Sequence, residues 1–268
     1  MIRYRLASLV EGRRKGTTQP LPAIQGSLGV EMAYLKALRL MLREMAAYTR
    51  QHIIPVAERE IAEQRALTRD MGEHDFENLE SLADRLIAIA SATVRRILGL
   101  EAKRHTDTFM ATAKRVLGID LAAVVRQEDL ADYLDTATAR NVGLIKGLAA
   151  DTVKRIQTTV TTAVLNGVPV KDLRKRLTKE FGFSDRRAKV IARDQVAKFN
   201  SDLNRQRHMQ AGVTTYTWRT SADERVRPLH RELDGKVYEY GKPTGAEDGL
   251  PPGQPIMCRC VAQGIVQF

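Results

Sequence analysis

Helical periodicity runs through most of the chain and constrains its fold more than any other feature. The segment "EMAYLKALRLMLREMAAYTR" places Leu35, Leu38 and Leu42 on one stripe, because residues three or four apart lie on the same helical face. The next segment repeats this pattern at Leu79, Leu82, Leu86, Ile89 and Ile97. The sequence therefore predicts a long helical body.

The composition suits a folded chain without a membrane span. Of the 268 residues, 43% are hydrophobic, which is too many for a disordered chain, and 5% are aromatic, which predicts an aliphatic core. The longest uncharged apolar run, "LIAIASATV" at 86–94, is far shorter than the roughly 20 residues that span a bilayer. The first residues make a poor secretion signal. We therefore expect a cytoplasmic site of synthesis, where cysteines are reduced or metal-bound.

A helix end is predicted at "LNGVPV". Asn166 and Gly167 supply a C-cap, and Pro169 blocks continuation of the helix. The apolar stripe that ends there consists of Val153, Ile156, Val160 and Val164.

Two further helices are predicted after this stop. The first is short and ends at "GFSD", where Ser184 is a plausible N-cap for the second. The apolar stripe of the first consists of Val170, Leu173, Leu177 and Phe181. The apolar stripe of the second consists of Ala188, Ala192, Val196, Phe199 and Leu203.

Positive charge is concentrated on these two helices. The segment from Lys171 to Arg207 has twelve Lys or Arg against five Asp or Glu, within a chain of formal net charge +11. Such a density attracts phosphate backbones or an acidic protein surface. The alternative is that these charges only solvate two exposed helix faces and bind no partner. The candidate DNA- or partner-binding residues are Lys171, Arg174, Lys175, Arg176, Arg186, Arg187, Lys189 and Arg193.

The chain changes character at Gly212. The stretch "VTTYTWRT" is rich in β-branched and aromatic residues and predicts a strand, with another at 236–240 and a closing strand in "MCRCVAQGIV". The fold class is therefore mainly α with a small α+β C-terminal module, that is, a long helical body followed by a short-stranded, loop-rich tail.

Polar residues in the tail could bind a metal. In an extended segment Cys258 and Cys260 would point to the same side, so both could serve one zinc ion, with His230 as third ligand and Asp223 or a water as fourth. Cys-x-Cys is a weak signal by itself. The alternative is that both cysteines are small buried residues.

The same residues allow a catalytic alternative. A nuclease or transferase could use Asp223, His230, Cys258 and Cys260, for example through a Cys-His nucleophile pair or through a cation bound at Asp223 and Glu224. A third carboxylate at a convincing spacing, a Walker loop and a dinucleotide glycine pattern are all absent from the sequence. We therefore expect a protein that is not an enzyme.

Several separated elements occur in an order that resembles a known family. A helix with Ala-Arg and a later Asn is followed by Gly, Trp, Asp-x-Arg-Val-Arg, His, Asp-Gly, a proline-rich loop and Cys-Arg-Cys, over roughly Leu144 to Val266. This pattern resembles the phage Mu protein F-like family, the minor capsid or head morphogenesis proteins of tailed phages and prophages.

The resemblance carries over to individual positions. Its recurrent polar or structural positions fall on Arg193, Asn200 or Asn204, Trp218, Asp223, Arg225, His230, Gly235, Cys258, Arg259 and Cys260. Two positions depart from it. The family commonly has Thr-Glu where this chain has Asp194 and Gln195, and many members have Asn where this chain has Met257.

The resemblance implies a virion protein at the portal vertex or inside the phage head, made in the host cytoplasm. Its implied roles are procapsid assembly, genome packaging or DNA ejection, with portal, capsid or scaffold proteins as partners. Packaged double-stranded DNA would be contacted through its phosphates, and no membrane is involved. The predicted domains are a helical N-terminal region, residues 1–143, which interacts with portal or capsid, and a Mu F-like domain, residues 144–268. Within the latter we expect helices over 148–210 and the small α+β tail over 212–268.

Overall fold

Long helices form most of the fold. The computed structural model describes residues 2–63, 69–126 and 130–268. Its α-helices are α1 (Leu6–Leu9), α2 (Leu28–Tyr48), α3 (Ile54–Ala62), α4 (Arg69–Leu117), α5 (Ala131–Leu165), α6 (Val170–Gln210) and α7 (Pro228–Leu233). Its strands are β1 (Thr18–Pro20), β2 (Thr215–Arg219), β3 (Val237–Glu239) and β4 (Val261–Gln267). The predicted fold class is confirmed. Across the described ranges, no helix is both long and apolar enough to span a bilayer.

Helix α2 forms along the predicted apolar stripe and ends in a π-helical turn. Leu35, Leu38, Leu42 and Met45 are all buried. The turn Thr49–Ile53 leads directly into α3, whose first turn contains a proline. Proline has no N–H to donate to the preceding turn, and the wider π-helical turn lies where that bond is missing.

The predicted end of α5 is confirmed at the level of single hydrogen bonds. Gly167 has φ +57, the left-handed conformation that glycine adopts without strain. The backbone N–H of Val168 donates to the Ala163 carbonyl at 2.8 Å, and that of Gly167 donates to the Val164 carbonyl at 3.1 Å. This pair of bonds is a Schellman motif, and it caps the carbonyls at the end of α5.

The predicted break at "GFSD" is wrong, because α6 runs without interruption from Val170 to Gln210. Ser184 does not begin a new helix: it is buried, and its hydroxyl lies 2.9 Å from the Thr152 hydroxyl of α5. Asp185 pairs with Arg39 of α2 at 2.6 Å. These tertiary contacts outweigh the cost of roughly 0.5–1 kcal/mol for a glycine in a helix interior.

The strands form one antiparallel sheet in the order β1-β4-β2-β3. Strands β2, β3 and β4 were predicted and are confirmed, with Tyr216 opposite Gly264 and Trp218 opposite Ala262 between β2 and β4. Strand β1 was not predicted. It pairs Thr18 with Gln267 and Pro20 with Ile265, so a segment near the N-terminus completes the sheet of the tail.

The chain divides into two compact units, each built from separated stretches of sequence. Unit 1 comprises Met1–Glu31, Leu98–Ala137 and Arg193–Phe268, and unit 2 comprises Met32–Ile97 and Thr138–Ala192. The core of unit 1 contains Leu6, Leu21, Ile24, Phe109, Ala113, Leu117, Leu121, Val125, Ala211, Val213 and Val266. The functional division at residues 143 and 144 stays a prediction.

Candidate metal centre and basic surface

Three predicted ligands lie together in the interior of unit 1. His230 Nδ1 lies 3.5 Å from the Sγ of Cys258 and 3.5 Å from the Sγ of Cys260. The ligand atoms of all three residues lie within 4.8 Å of one another. The three side chains are buried, and both cysteines are free thiols. The structure therefore assembles a Cys-Cys-His group of the kind that binds zinc.

The fold around this group explains two structural positions of the resemblance. The Trp218 ring packs edge-on against the His230 ring, with 5.2 Å between ring centroids. Gly235 has φ +78, and its N–H donates to the Trp218 carbonyl at 2.9 Å. Trp218 thus forms one wall of the group, and the turn at Gly235 fixes β2 beside α7.

The cysteines lie before the closing strand rather than in it, which corrects the predicted start of that strand. Strand β4 begins at Val261, and Met257 has φ +59. Because a non-glycine residue in the left-handed region turns the chain sharply, a turn lies directly before the two cysteines. The Met257 N–H donates to Asp194 Oδ1 at 3.0 Å, which fastens this turn to α6.

The left-handed backbone at Met257 explains why many members of the family have Asn at this position. Asparagine tolerates the left-handed region better than other non-glycine residues. The family's common Asn therefore suits the turn conformation, and Met257 adopts the same conformation at a cost in strain.

Glu247 is a member of the site that the sequence analysis missed. Its Oε2 lies 2.7 Å from Nε2 of His230, and its Oε1 accepts a hydrogen bond from Arg227 at 3.1 Å. The hydrogen bond with His230 lowers the pKa of Glu247. No spacing rule could have found this residue, because it reaches His230 from a 3₁₀ turn at Glu247–Gly249 that only the tertiary fold brings close.

The structure places Asp223, the fourth predicted ligand, outside the group. Its carboxylate pairs with the Arg259 guanidinium and accepts the backbone N–H of Arg225 at 3.0 Å. The hydrogen bond with Arg259 lowers the pKa of Asp223. Asp223 and Arg259 thus form an ion pair at the rim, and Arg225 is exposed. The four residues of the catalytic alternative are not brought together as one constellation.

The pKa values of the two thiols are shifted in opposite directions. A hydrogen bond from Cys260 lowers the pKa of Cys258, although burial opposes this shift. The same bond, together with burial, raises the pKa of Cys260. Deprotonated sulfur is the form that binds metals, so the lowered pKa of Cys258 suits a metal ligand.

The predicted basic residues lie on α6, and seven of the eight are exposed. The exposed ones are Lys171, Arg174, Lys175, Arg176, Arg186, Arg187 and Lys189. Arg193 is half-buried and lines a cavity of about 230 Å³ in unit 1, whose wall includes Asn200 and Cys260.

Some of these charges are neutralised by carboxylates. Lys175 pairs with Asp172 at 3.2 Å, and Lys189 pairs with Asp185 at 3.3 Å. Arg187 pairs with Asp151. These exposed pairs contribute little to stability.

Other positive charges have no carboxylate partner in the described part of the chain: Lys171, Arg176, Lys179 and Arg186. The guanidinium of Arg186 lies over the Phe183 ring, 4.4 Å from its centroid. Lys179 was not among the predicted residues, although its position four residues after Lys175 could have shown that it shares the same helix face.

A family model described as Phage Mu protein F like protein matches residues 154–263. Residues 154–263, hereafter the Mu F-like region, are thus similar to this family. The resemblance predicted over roughly 144–266 is confirmed for this region. The Mu F-like region contains the Cys-Cys-His group, Glu247 and all the basic residues named above.

One curated relative has no assigned role. It is an uncharacterized protein of Haemophilus influenzae, 35% identical over 162 residues, and the match covers 60% of this chain and 36% of the relative. The chain thus spans about a third of the length of that protein. No solved structure matches.

Proposed function

We propose that this protein is a minor capsid or head morphogenesis protein of a tailed phage or prophage. The observation that carries the proposal is the match of residues 154–263 to the Mu F-like family. In this role the protein acts near the portal in procapsid assembly, genome packaging or DNA ejection. It is made in the host cytoplasm and then resides in the virion, with portal, capsid or scaffold proteins as its partners.

The exposed face of α6 suits contact with packaged DNA. Lys171, Lys175, Lys179, Arg186 and Lys189, hereafter the basic stripe, lie within about 80° of arc on the helix. They span about 27 Å along the helix axis at 1.5 Å per residue. Double-stranded DNA carries one charge per roughly 1.7 Å, so a stripe of this length can reach several phosphates.

Contacts of this kind bind DNA without reading its sequence. Lysine and arginine on phosphates fix the position of a protein on the duplex but carry no base information. A protein that lies against a packaged genome needs this property, because any sequence can face it. An acidic portal surface offers the same charge complementarity, and the experiments below separate the two partners.

The assembly role is tested in particles produced after induction of the host strain. We expect the protein in purified heads by mass spectrometry, and we expect its deletion to lower the yield of DNA-filled heads. Absence from purified heads, combined with a normal yield of filled heads in the deletion strain, would refute the assembly role.

DNA contact is tested by the salt dependence of binding to generic duplex DNA. The triple variant Lys171→Gln, Lys179→Gln and Arg186→Gln removes three stripe charges that have no carboxylate partner in the described ranges. The slope of log K against log salt should flatten by about 0.9 per lost contact, or about 2.7 in total.

A matched control removes three exposed charges from elsewhere in unit 2. The control variant carries Arg95→Gln, Arg96→Gln and Lys154→Gln, on α4 and α5. Equal flattening in both triple variants would show that only net charge matters. A wild-type slope of log K against log salt near zero would show that the basic stripe does not bind phosphates. Weaker binding of purified portal protein by the triple variant than by the control variant would then identify the portal as the partner.

A further inference from the structure

We propose that the Mu F-like region holds one zinc ion, bound by His230 Nδ1 and by the sulfurs of Cys258 and Cys260. In this site Glu247 orients the histidine from the side away from the metal, and a water is the fourth ligand. Asp223, the carboxylate that the sequence suggested as a ligand, takes no part.

The two distances from the histidine nitrogen to the sulfurs fit a tetrahedral zinc ion. Zinc binds thiolate sulfur at about 2.3 Å and histidine nitrogen at about 2.0–2.1 Å, so that a tetrahedral angle places N and S about 3.5–3.6 Å apart. Both separations from His230 Nδ1, to Cys258 and to Cys260, are 3.5 Å. The three side chains are thus already placed for a metal, and none needs to move far.

The second nitrogen of His230 strengthens this interpretation. Nε2 lies 2.7 Å from a Glu247 oxygen, and an ionised carboxylate only accepts hydrogen bonds, so Nε2 carries the proton. Nδ1 of the neutral ring then presents its lone pair to the two sulfurs. A carboxylate behind a metal-binding histidine is the usual arrangement, in which it fixes the tautomer and raises the basicity of the ring.

A small cavity beside the three ligands leaves room for the fourth. It has a volume of about 40 Å³, and its wall includes all three ligands together with Ser221. One water needs roughly 10–15 Å³ of such space and two or more polar partners. The Ser221 hydroxyl is buried and makes no hydrogen bond within the described residues, so it can serve as one of those partners.

The arrangement differs from that of a disulfide or of inert buried thiols. A disulfide between cysteines one residue apart would strain the chain, and here both are free. Inert thiols need no histidine nitrogen equidistant from both sulfurs, and they need no carboxylate fixing that histidine. A bound ion would link α7 to the turn before β4, and would thereby hold the tail in one conformation.

Zinc binding is tested on the full-length chain, reduced, stripped with a chelator and reloaded with Zn²⁺. We expect one equivalent of zinc, and X-ray absorption should show two sulfur ligands at about 2.3 Å and two nitrogen or oxygen ligands at about 2.0–2.1 Å. Cys258→Ser and Cys260→Ser should each lower the sulfur count to one or abolish binding. Failure to bind zinc at micromolar free metal, or a shell without sulfur, would overturn the proposal.

Two carboxylate variants distinguish this ligand set from the alternative with Asp223. Glu247→Gln should weaken zinc binding by about 10–100-fold, the usual effect of losing a partner of this kind, while the Tm of the metal-free protein changes little. Asp223→Asn is the matched control, and it should leave zinc affinity unchanged. If Asp223→Asn weakens binding as much as Glu247→Gln does, the ligand assignment is wrong.

Discussion

Two buried histidines, His105 on α4 and His208 on α6, should make unit 1 sensitive to mild acid. Burial lowers the pKa of His105 to about 3, against a smaller opposing effect of its hydrogen bond with Asn204 at 3.0 Å. Burial likewise lowers the pKa of His208 to about 4. Both side chains are almost fully buried, at 0% and 3% exposure, so neither can be protonated without taking a charge into the core.

The sign of the effect follows from the protons bound in each state. In the unfolded chain both histidines titrate near pH 6.5, whereas in the folded chain they stay neutral to about pH 4. The unfolded state therefore binds more protons between pH 4 and 6.5, and stability falls as the pH falls through this window. From pH 7 to pH 5 each histidine should remove about 2 kcal/mol, and the two together about 4 kcal/mol.

Urea unfolding at pH 7 and pH 5, followed by tryptophan fluorescence, measures this loss. Trp218 is the single tryptophan of the chain and is buried in unit 1, and a chelator removes any contribution from metal. His105→Gln and His208→Gln should each reduce the difference between the two pH values by about 2 kcal/mol. His52→Gln, at an exposed position in unit 2, should not change it. Equal wild-type stability at both pH values would refute the reasoning, as would variants that keep the wild-type difference.

Substitutions at Gly264 and Met257, with Gly99 as a control, test packing and backbone strain by thermal unfolding. Gly264→Ala should destabilise unit 1 by roughly 1–3 kcal/mol, because a Cβ there would lie 2.8 Å from the His208 ring in a packed core. Gly99→Ala makes the same substitution on α4, with nothing within 4 Å, and should be neutral or stabilising by up to about 1 kcal/mol; similar losses at both positions would contradict the packing argument. Met257→Asn should stabilise the tail by about 1 kcal/mol, because Asn tolerates φ +59 better than Met does, and a lower Tm would contradict this.

The helices were predictable because their signals are local. The stripe of α2 and the C-cap at Gly167 depend only on residues a few positions apart, and both match the structure. The predicted break at Ser184 is wrong because glycine and serine can either end a helix or lie inside one. Here the buried Ser184 hydroxyl contacts Thr152 of another helix, and sequence spacing cannot show such a contact.

The site was only partly predictable for the same reason. His230, Cys258 and Cys260 were found by residue type and by their order in the tail, and the structure brings them together. Glu247 was missed because only the tertiary fold brings its loop to His230, and Asp223 pairs with Arg259 instead. Both carboxylates lie in loop-rich sequence with no periodicity, so their contacts became visible only in the fold.

Strand β1 gives the sheet a member far away in sequence from the others. Its three residues pair with Ile265, Val266 and Gln267, at the end of the strand that follows the cysteines. The Mu F-like region ends at residue 263, so a fragment cut to the family boundaries would lack both partners of this pairing. A fragment of residues 144–268 would instead present the open side of β4, and unpaired strand edges recruit strands from other molecules. Self-association of such a fragment would then result from the missing strand β1 and would not be evidence of a native oligomer.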